Sequence, residues 1–267
     1  MPDLPLDDIT LHYEVDGNGP PLLLLAGMLS DSASWTPLVD PFSKDHTLIR
    51  PDNRTTGRTT PWNAPVSLAQ MAHDALGLMD HLGHDRFHVA GHSMGGRAAI
   101  ELAALAQSRI ASLTIMASSP QKLPRSLAVF DSLCQIRATP DGETLWLKAL
   151  YPWVFGPAFF EIPTNARTAL VAALAYPHAQ SREAMAHQID ALRDDTPTTE
   201  LADLACPAQV LYAQNDVLIP PGPALAAFDA LPRVVHHIIP NAGHSIHWDA
   251  PDAVALYLRD FMQAHPA

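Results

Sequence analysis

Short apolar runs recur along this chain, separated by amphipathic helical patterns. Leu22 to Ala26 is continuously apolar, and Thr47-Leu48-Ile49, Phe87-His88-Val89-Ala90, Leu113-Thr114-Ile115-Met116, Gln209-Val210-Leu211-Tyr212 and Val234 to Ile239 are similar. Runs of this kind read as strands buried on both faces. Ile9 to Val15 alternates instead and is followed by Asp16-Gly17-Asn18-Gly19, a half-exposed strand and a turn. Between the runs, Leu68, Met71, Ala72, Ala75, Leu76, Met79 and Leu82 form one apolar stripe at helical spacing. Ser67 and Gln70 make a capping box at its start, and Gly83 marks its end. A last helix is expected to open at Asp249 before Pro251, carrying Val254, Tyr257, Leu258 and Phe261. Strand and helix alternate, so the expected class is α/β with a mainly parallel sheet.

The length of 267 residues fits one large α/β domain or two small ones, and 48% hydrophobic content supplies a core. A net charge of −12 argues against a nucleic-acid partner, because nothing offsets repulsion from the phosphate backbone. The longest apolar stretch, Leu22 to Leu29, falls far short of the roughly 20 residues that cross a bilayer, so no membrane partner is expected. Met1-Pro2-Asp3-Leu4-Pro5 does not read as a signal peptide. Cys134 and Cys206 alone make neither a disulfide framework nor a zinc site, and a cytoplasmic location is the default.

Residues 119–205 break the alternation. They read as helical and Pro-rich, with Trp146, Tyr151, Trp153, Phe155, Phe159 and Phe160 crowded together. A long insertion between two strands is expected to be a cap over an active site, the rival being a helical layer packed for stability. The domain division is then a core of 1–118 and 206–267 with a cap of 119–205.

Gly91-His92-Ser93-Met94-Gly95-Gly96 follows one predicted strand and precedes a helix carrying Ala98, Ile100, Leu102 and Leu105. This is G-x-S-x-G in a strand–turn–helix setting. The bare pattern arises by chance in about one chain of this length in ten, so the setting carries the reading. A sharp turn lifts a serine hydroxyl clear of its neighbours, and flanking glycines let the two backbone arms approach. The Met94 N–H, at the helix start, can point at a developing oxyanion.

Such a serine needs a base held in the right tautomer by a third group. Among fourteen histidines, His244 in Asn241-Ala242-Gly243-His244-Ser245 follows the last strand directly, on the same sheet edge as Ser93; His247 is the reserve. Asp216 ends the strand containing Gln209 to Tyr212, and the competing strand end at Ala117-Ser118-Ser119-Pro120 has no acid. The order Ser93, Asp216, His244 is that of an α/β-hydrolase.

From about residue 8 to 263 the chain resembles the α/β-hydrolase family. The resemblance rests on these three pieces and on Asp52-Asn53-Arg54-Thr55-Thr56-Gly57-Arg58-Thr59, which looks like the family's Asp-x-Arg-Gly-x-Gly-x-Ser loop. It implies an eight-stranded sheet, a helical cap, and an oxyanion hole sharing the Met94 N–H with a second donor after the third strand. That donor would be Met28 in Ala26-Gly27-Met28-Leu29, where Ala26 replaces the family's usual His. Thr55 stands where the family usually has Gly. Within the family, the Asp52-Asn53-Arg54 loop and the cap ending in Gln180-Ser181-Arg182-Glu183-Ala184 look similar to esterases of the enol-lactonase and methylesterase type.

The expectation is a serine hydrolase cleaving a carboxylic ester or lactone of a small, partly apolar molecule, with no cofactor or metal. Trp146, Trp153, Phe155 and Phe159 are candidate pocket residues. The same triad serves C–C bond hydrolysis or perhydrolysis. A proline iminopeptidase would need cap acids such as Glu143, Glu161, Glu183 or Asp190. A non-catalytic ligand-binding protein is a further alternative, and monomer or homodimer stays open. Arg54 and Arg58 either grip a substrate carboxylate or fix their loop, and Trp35 and Trp248 read as packing.

Overall fold

The apolar runs become the centre of an eight-stranded sheet. The computed structural model describes residues 2–196 and 198–267. In chain order the elements are β1 (Asp3–Pro5), β2 (Thr10–Asp16), β3 (Pro21–Leu25), α1 (Thr36–Phe42), β4 (Thr47–Pro51), α2 (Leu68–His81), β5 (Phe87–His92), α3 (Met94–Leu105) and β6 (Ile110–Met116). An insertion follows, with α4 (Pro124–Arg137), α5 (Gly142–Val154), α6 (Pro157–Glu161), α7 (Asn165–Ala175) and α8 (Arg182–Asp194). The chain then returns through β7 (Ala208–Ala213), α9 (Pro221–Phe228), β8 (Val234–Ile239), α10 (Ile246–Asp249) and α11 (Pro251–Ala264).

The strand order is β1-β2-β4-β3-β5-β6-β7-β8. β2 runs antiparallel to β1 and β4, and the remaining neighbours are parallel. Continuous apolarity follows from burial on both faces: Leu23 and Leu25 pack in the core beneath α2 and α3, whereas Leu22 and Leu24 pack in the opposite core with α1 and α11. Val234 to Ile239 departs from the expectation. It is an edge strand, with Val235 and Ile238 exposed.

Local chemistry sets most helix ends. The Ser67 hydroxyl accepts from the Gln70 amide, and Gly83 takes φ +73° just beyond α2. The expected role of Asp249 needs correction. Ala250 precedes α11, and the Asp249 carboxylate instead accepts from the Gly156 and Gly243 amides at 2.7 and 2.8 Å. These bonds tie the insertion to the loop after β8. The Ser245 amide adds another, donating to the Val154 carbonyl at 2.7 Å. Among the described residues, no helix is long and apolar enough to cross a membrane.

Candidate active site

Parallel strands deliver their following loops to one edge of a sheet. Ser93 leaves β5 there with φ 54° and ψ −118°, a region that a residue with a Cβ rarely adopts. Its amide donates to the Met116 carbonyl at 2.9 Å, and its carbonyl accepts from the Ser118 hydroxyl at 2.7 Å. The glycines are required by close approach. A Cβ on Gly91 would lie 2.1 Å from the Gly95 carbonyl oxygen, and one on Gly95 would lie 2.0 Å from that of Leu25.

Three distant side chains converge on this corner. Asp216 leaves β7, and its Oδ1 accepts from the Leu218 and Ile219 amides at 2.9 and 2.7 Å. Its Oδ2 lies 2.8 Å from His244 Nδ1, and His244 Nε2 lies 3.0 Å from Ser93 Oγ. An ionised carboxylate only accepts, so the proton sits on Nδ1 and Nε2 presents a lone pair to the hydroxyl. His244 and Asp216 are both buried.

His92 braces this arrangement. Its Nε2 donates to the His244 carbonyl at 2.8 Å, which fixes its own tautomer because a carbonyl can only accept. Burial first, then the neighbouring His247 and His244 charges, hold His92 well below the usual histidine range. His247 does not replace His244. Its ring packs between Trp35 and His92, at centroid distances of 4.8 and 4.6 Å, and burial with the His244 charge pushes it down to about 3.

Ser93, Met28 and Met94 line one pocket of about 80 Å³, together with Leu127 and Phe130 of α4. Among the described residues, neither the Met28 nor the Met94 amide meets a hydrogen-bond acceptor. A larger cavity of about 1030 Å³ lies against α5 and α7, with Trp146, Phe155 and Phe159 in its wall, and Ser93 is not among its lining residues. Trp153 lines neither; the Arg125 guanidinium sits over its ring at 5.5 Å. Trp248 is not packing: it is about half exposed and lines the larger cavity. Trp35 is fully buried. None of the four insertion acids an iminopeptidase would use lines the Ser93 pocket; Glu143 pairs with Arg137, Glu183 with Arg182 and Asp190 with Arg193.

The loop after β4 is a brace. Asn53 Nδ2 donates to the Ala26 carbonyl at 2.9 Å, and Asp52 accepts from the Ser32 and Arg58 amides. The stretch 26–32 is thus held without the family's usual histidine. Arg54 is consumed by Asp8, Asp74 and the Pro65 carbonyl, and Arg58 pairs with Asp52 and Glu14. Thr55 keeps a glycine-like φ of +73°. Its hydroxyl accepts from Gln188 Nε2 at 2.9 Å, and its carbonyl accepts from Gln180 Nε2 at 2.9 Å. The sequence reading passes over Gln188, although it interrupts the apolar stripe of Ala184, Met185, Ile189 and Leu192. A polar residue at a core position is a signal of this kind.

A family model described as alpha/beta hydrolase fold matches residues 20–251. RutD of Azorhizobium caulinodans, named as a carbamate hydrolase, is 30% identical over 220 residues, which cover 80% of each chain. RutD of Variovorax paradoxus, with the same name, is 29% identical over 246 residues, 88% of this chain and 89% of that one. Among solved structures, the enol-lactonase from Burkholderia xenovorans has a TM-score of 0.84 at 24% identity, covering 98% of this chain and 100% of that one. A thermophilic esterase from Thermogutta terrifontis has a TM-score of 0.84 at 24% identity, covering 97% and 95%. At that identity the two structures speak for the fold alone.

Proposed function

Because the chain belongs to the alpha/beta hydrolase fold family, we propose that it is a serine hydrolase cleaving a small, partly apolar carboxylic ester or lactone. The observation that carries this reading is the run of short contacts from Asp216 through His244 to Ser93, beside two unengaged amides in one pocket. His244 Nε2 takes the Ser93 proton as Oγ attacks the ester carbonyl. Negative charge gathers on the carbonyl oxygen, where the Met28 and Met94 amides receive it; loss of one such donor typically costs roughly 100–1,000-fold in rate. His244 then gives its proton to the leaving alkoxide. Water then gives a proton to the same nitrogen and attacks the acyl carbon, and as the acyl–Oγ bond breaks His244 returns that proton to Ser93 Oγ. Asp216 keeps the ring oriented and offsets its transient positive charge.

In this reading residues 119–205 act as a cap over a core of 1–118 and 206–267. The pocket of about 80 Å³ bounded by α4 suits a short acyl group, with Leu127 and Phe130 supplying its apolar wall. A carbamate is the second reading. Relatives as similar as 30% carry that name, and a carbamate carbonyl is open to the same attack in a pocket of this size.

The test is turnover of p-nitrophenyl acetate and butyrate, and of the matching aryl carbamate, by the wild-type protein and by Ser93→Ala. Turnover that disappears with the hydroxyl supports the serine mechanism. Turnover that survives in Ser93→Ala, or its absence with all three substrates in the wild type, overturns it.

A further inference from the structure

The charges around the Ser93 pocket differ from those around the other cavities. Among the described residues that line it, Arg97 and Lys122 are the charged ones, and none is an acid. The larger cavity has Asp31, Glu143 and Asp249 in its wall, and a third, of about 380 Å³, has Glu101, Glu200 and Asp203. The chain carries 16 Lys and Arg against 28 Asp and Glu, so an acid-free pocket with two cations runs against its composition.

Both cations are built into the site. Arg97 stands one turn after Ser93 on α3, and its amide donates to the Ser93 carbonyl at 3.4 Å. A helical side chain leans toward the helix N-terminus, here toward Ser93 and the Met94 amide. Lys122 arrives from the loop between β6 and α4. The two meet at the end of α8: Arg97 Nη2 pairs with Asp195 at 3.1 Å, and Lys122 Nζ donates to the Arg193 carbonyl at 3.0 Å. Like charges anchored two residues apart repel unless an anion offsets them. Among the described residues, Asp195 is the one carboxylate paired with either, and its other oxygen is spent on the Leu68 amide. Arg97 Nε and Nη1 have no hydrogen-bond partner there, and Lys122 meets no carboxylate. Burial, ahead of the opposing Asp195 and Glu101 charges, lowers the Arg97 pKa, as expected of a guanidinium whose charge is incompletely offset. An anionic group on the substrate would complete the set. The pocket of about 80 Å³ has room for a planar carboxylate on a short chain, a group that a guanidinium fork and an ammonium both bind.

We propose that Arg97 and Lys122 determine specificity by binding a carboxylate on the acyl part of the substrate, so that the preferred substrate is a half-ester of a short dicarboxylic acid or a lactone bearing a carboxylate. This rests on the reading above that Ser93 attacks a carbonyl in this pocket. The rival is structural. A cation at a helix C-terminus is favourable in itself, and the two residues would then fasten the end of α8 whatever the substrate. That rival gives no preference between charged and neutral acyl groups.

The experiment compares kcat/KM for monoethyl succinate and ethyl butyrate, followed by acid release, with p-nitrophenyl acetate as the control for the serine mechanism. The wild type is expected to favour the succinate half-ester by about 10–100-fold. Lys122→Met and Arg97→Met are each expected to lower that succinate-to-butyrate ratio by about tenfold, mainly through KM, because a carboxylate away from the reacting bond is held equally in the ground and transition states. Lys122→Glu, which sets a like charge beside the carboxylate, is expected to lower the ratio further. A structural role would depress both esters together and leave the ratio where it was. Should Arg97→Met fail to fold because Asp195 loses its partner, Lys122→Met, at an exposed position, carries the test alone. A wild-type ratio near one, a ratio unmoved by the Lys122 substitutions, or turnover of p-nitrophenyl acetate with neither ethyl ester cleaved overturns the inference. Turnover of p-nitrophenyl acetate that survives in Ser93→Ala, or is missing from the wild type, strikes the serine mechanism instead.

Discussion

The β5–α3 corner and the helical insertion hold their residues in place by different means. At the corner the backbone does it. Gly91 and Gly95 allow main-chain atoms to approach where any Cβ would collide, and Ser93 is forced into a rare conformation between them. In the insertion single hydrogen bonds to distant segments do it, each with a side chain on at least one end: the Leu29 amide to Gln188, the Gly156 amide to Asp249, and the Tyr176 hydroxyl to Asp31 at 2.7 Å. A backbone corner cannot be adjusted without being broken. A layer fastened by side chains can be re-aimed one bond at a time.

The difference sets an order of expected effects. Ser93→Ala should cost at least about 10,000-fold in kcat with folding intact, because an activated hydroxyl has no substitute. A loss below tenfold would show that the corner is not the reactive centre. Gly95→Ala should destabilise by more than about 3 kcal/mol in urea unfolding, since its Cβ would lie 2.0 Å from the Leu25 carbonyl oxygen. Near-neutral stability would break the claim that the corner is rigid. Asp249→Ala should cost about 2 kcal/mol, because two backbone amides lose their acceptor. A cost equal to that of Gly95→Ala would erase the contrast.

Acid stability sharpens the contrast from the corner's side. Burial holds His247 down to about 3, against a usual 6.5 in the unfolded chain. Its contribution to stability is whole above about pH 6.5 and is lost as pH falls toward 3. Replacing it in His247→Phe should flatten the stability slope in that window by up to about 1.4 kcal/mol per pH unit. Identical slopes would contradict the buried neutral ring. The smallest effect belongs to the exposed pair of Arg193 with Asp131, where Arg193→Ala should change stability by no more than about 0.5 kcal/mol.

The same contrast explains what could be read in the sequence. Burial on both faces makes β3, β5 and β6 continuous apolar runs, so their places were legible. The β5–α3 corner was legible because Gly91 and Gly95 sit at fixed offsets from Ser93. Asp216 and His244 could be placed because each follows a strand that delivers it to one edge. The edge position of β8 was not legible, since its composition matches that of the central strands and only its neighbours differ. Asp249 looked like a helix opener because Pro251 follows it; its real partners, Gly156 and Gly243, include one 93 positions away. Gln188 has a partner 159 positions away, and spacing carries no information about such pairs. Trp153 shares its neighbourhood in sequence with Phe155 and Phe159, but it turns to Arg125 rather than to the cavity they line.

The central claim is that the Ser93 hydroxyl is the nucleophile, primed by His244 and Asp216. Reaction of the folded protein with a fluorophosphonate, followed by mass analysis of its peptides, tests this without a known substrate. One adduct is expected, on the peptide bearing Ser93, formed far more slowly in His244→Ala and absent in Ser93→Ala. An adduct on another residue, or labelling that proceeds unchanged without the His244 ring, would contradict it.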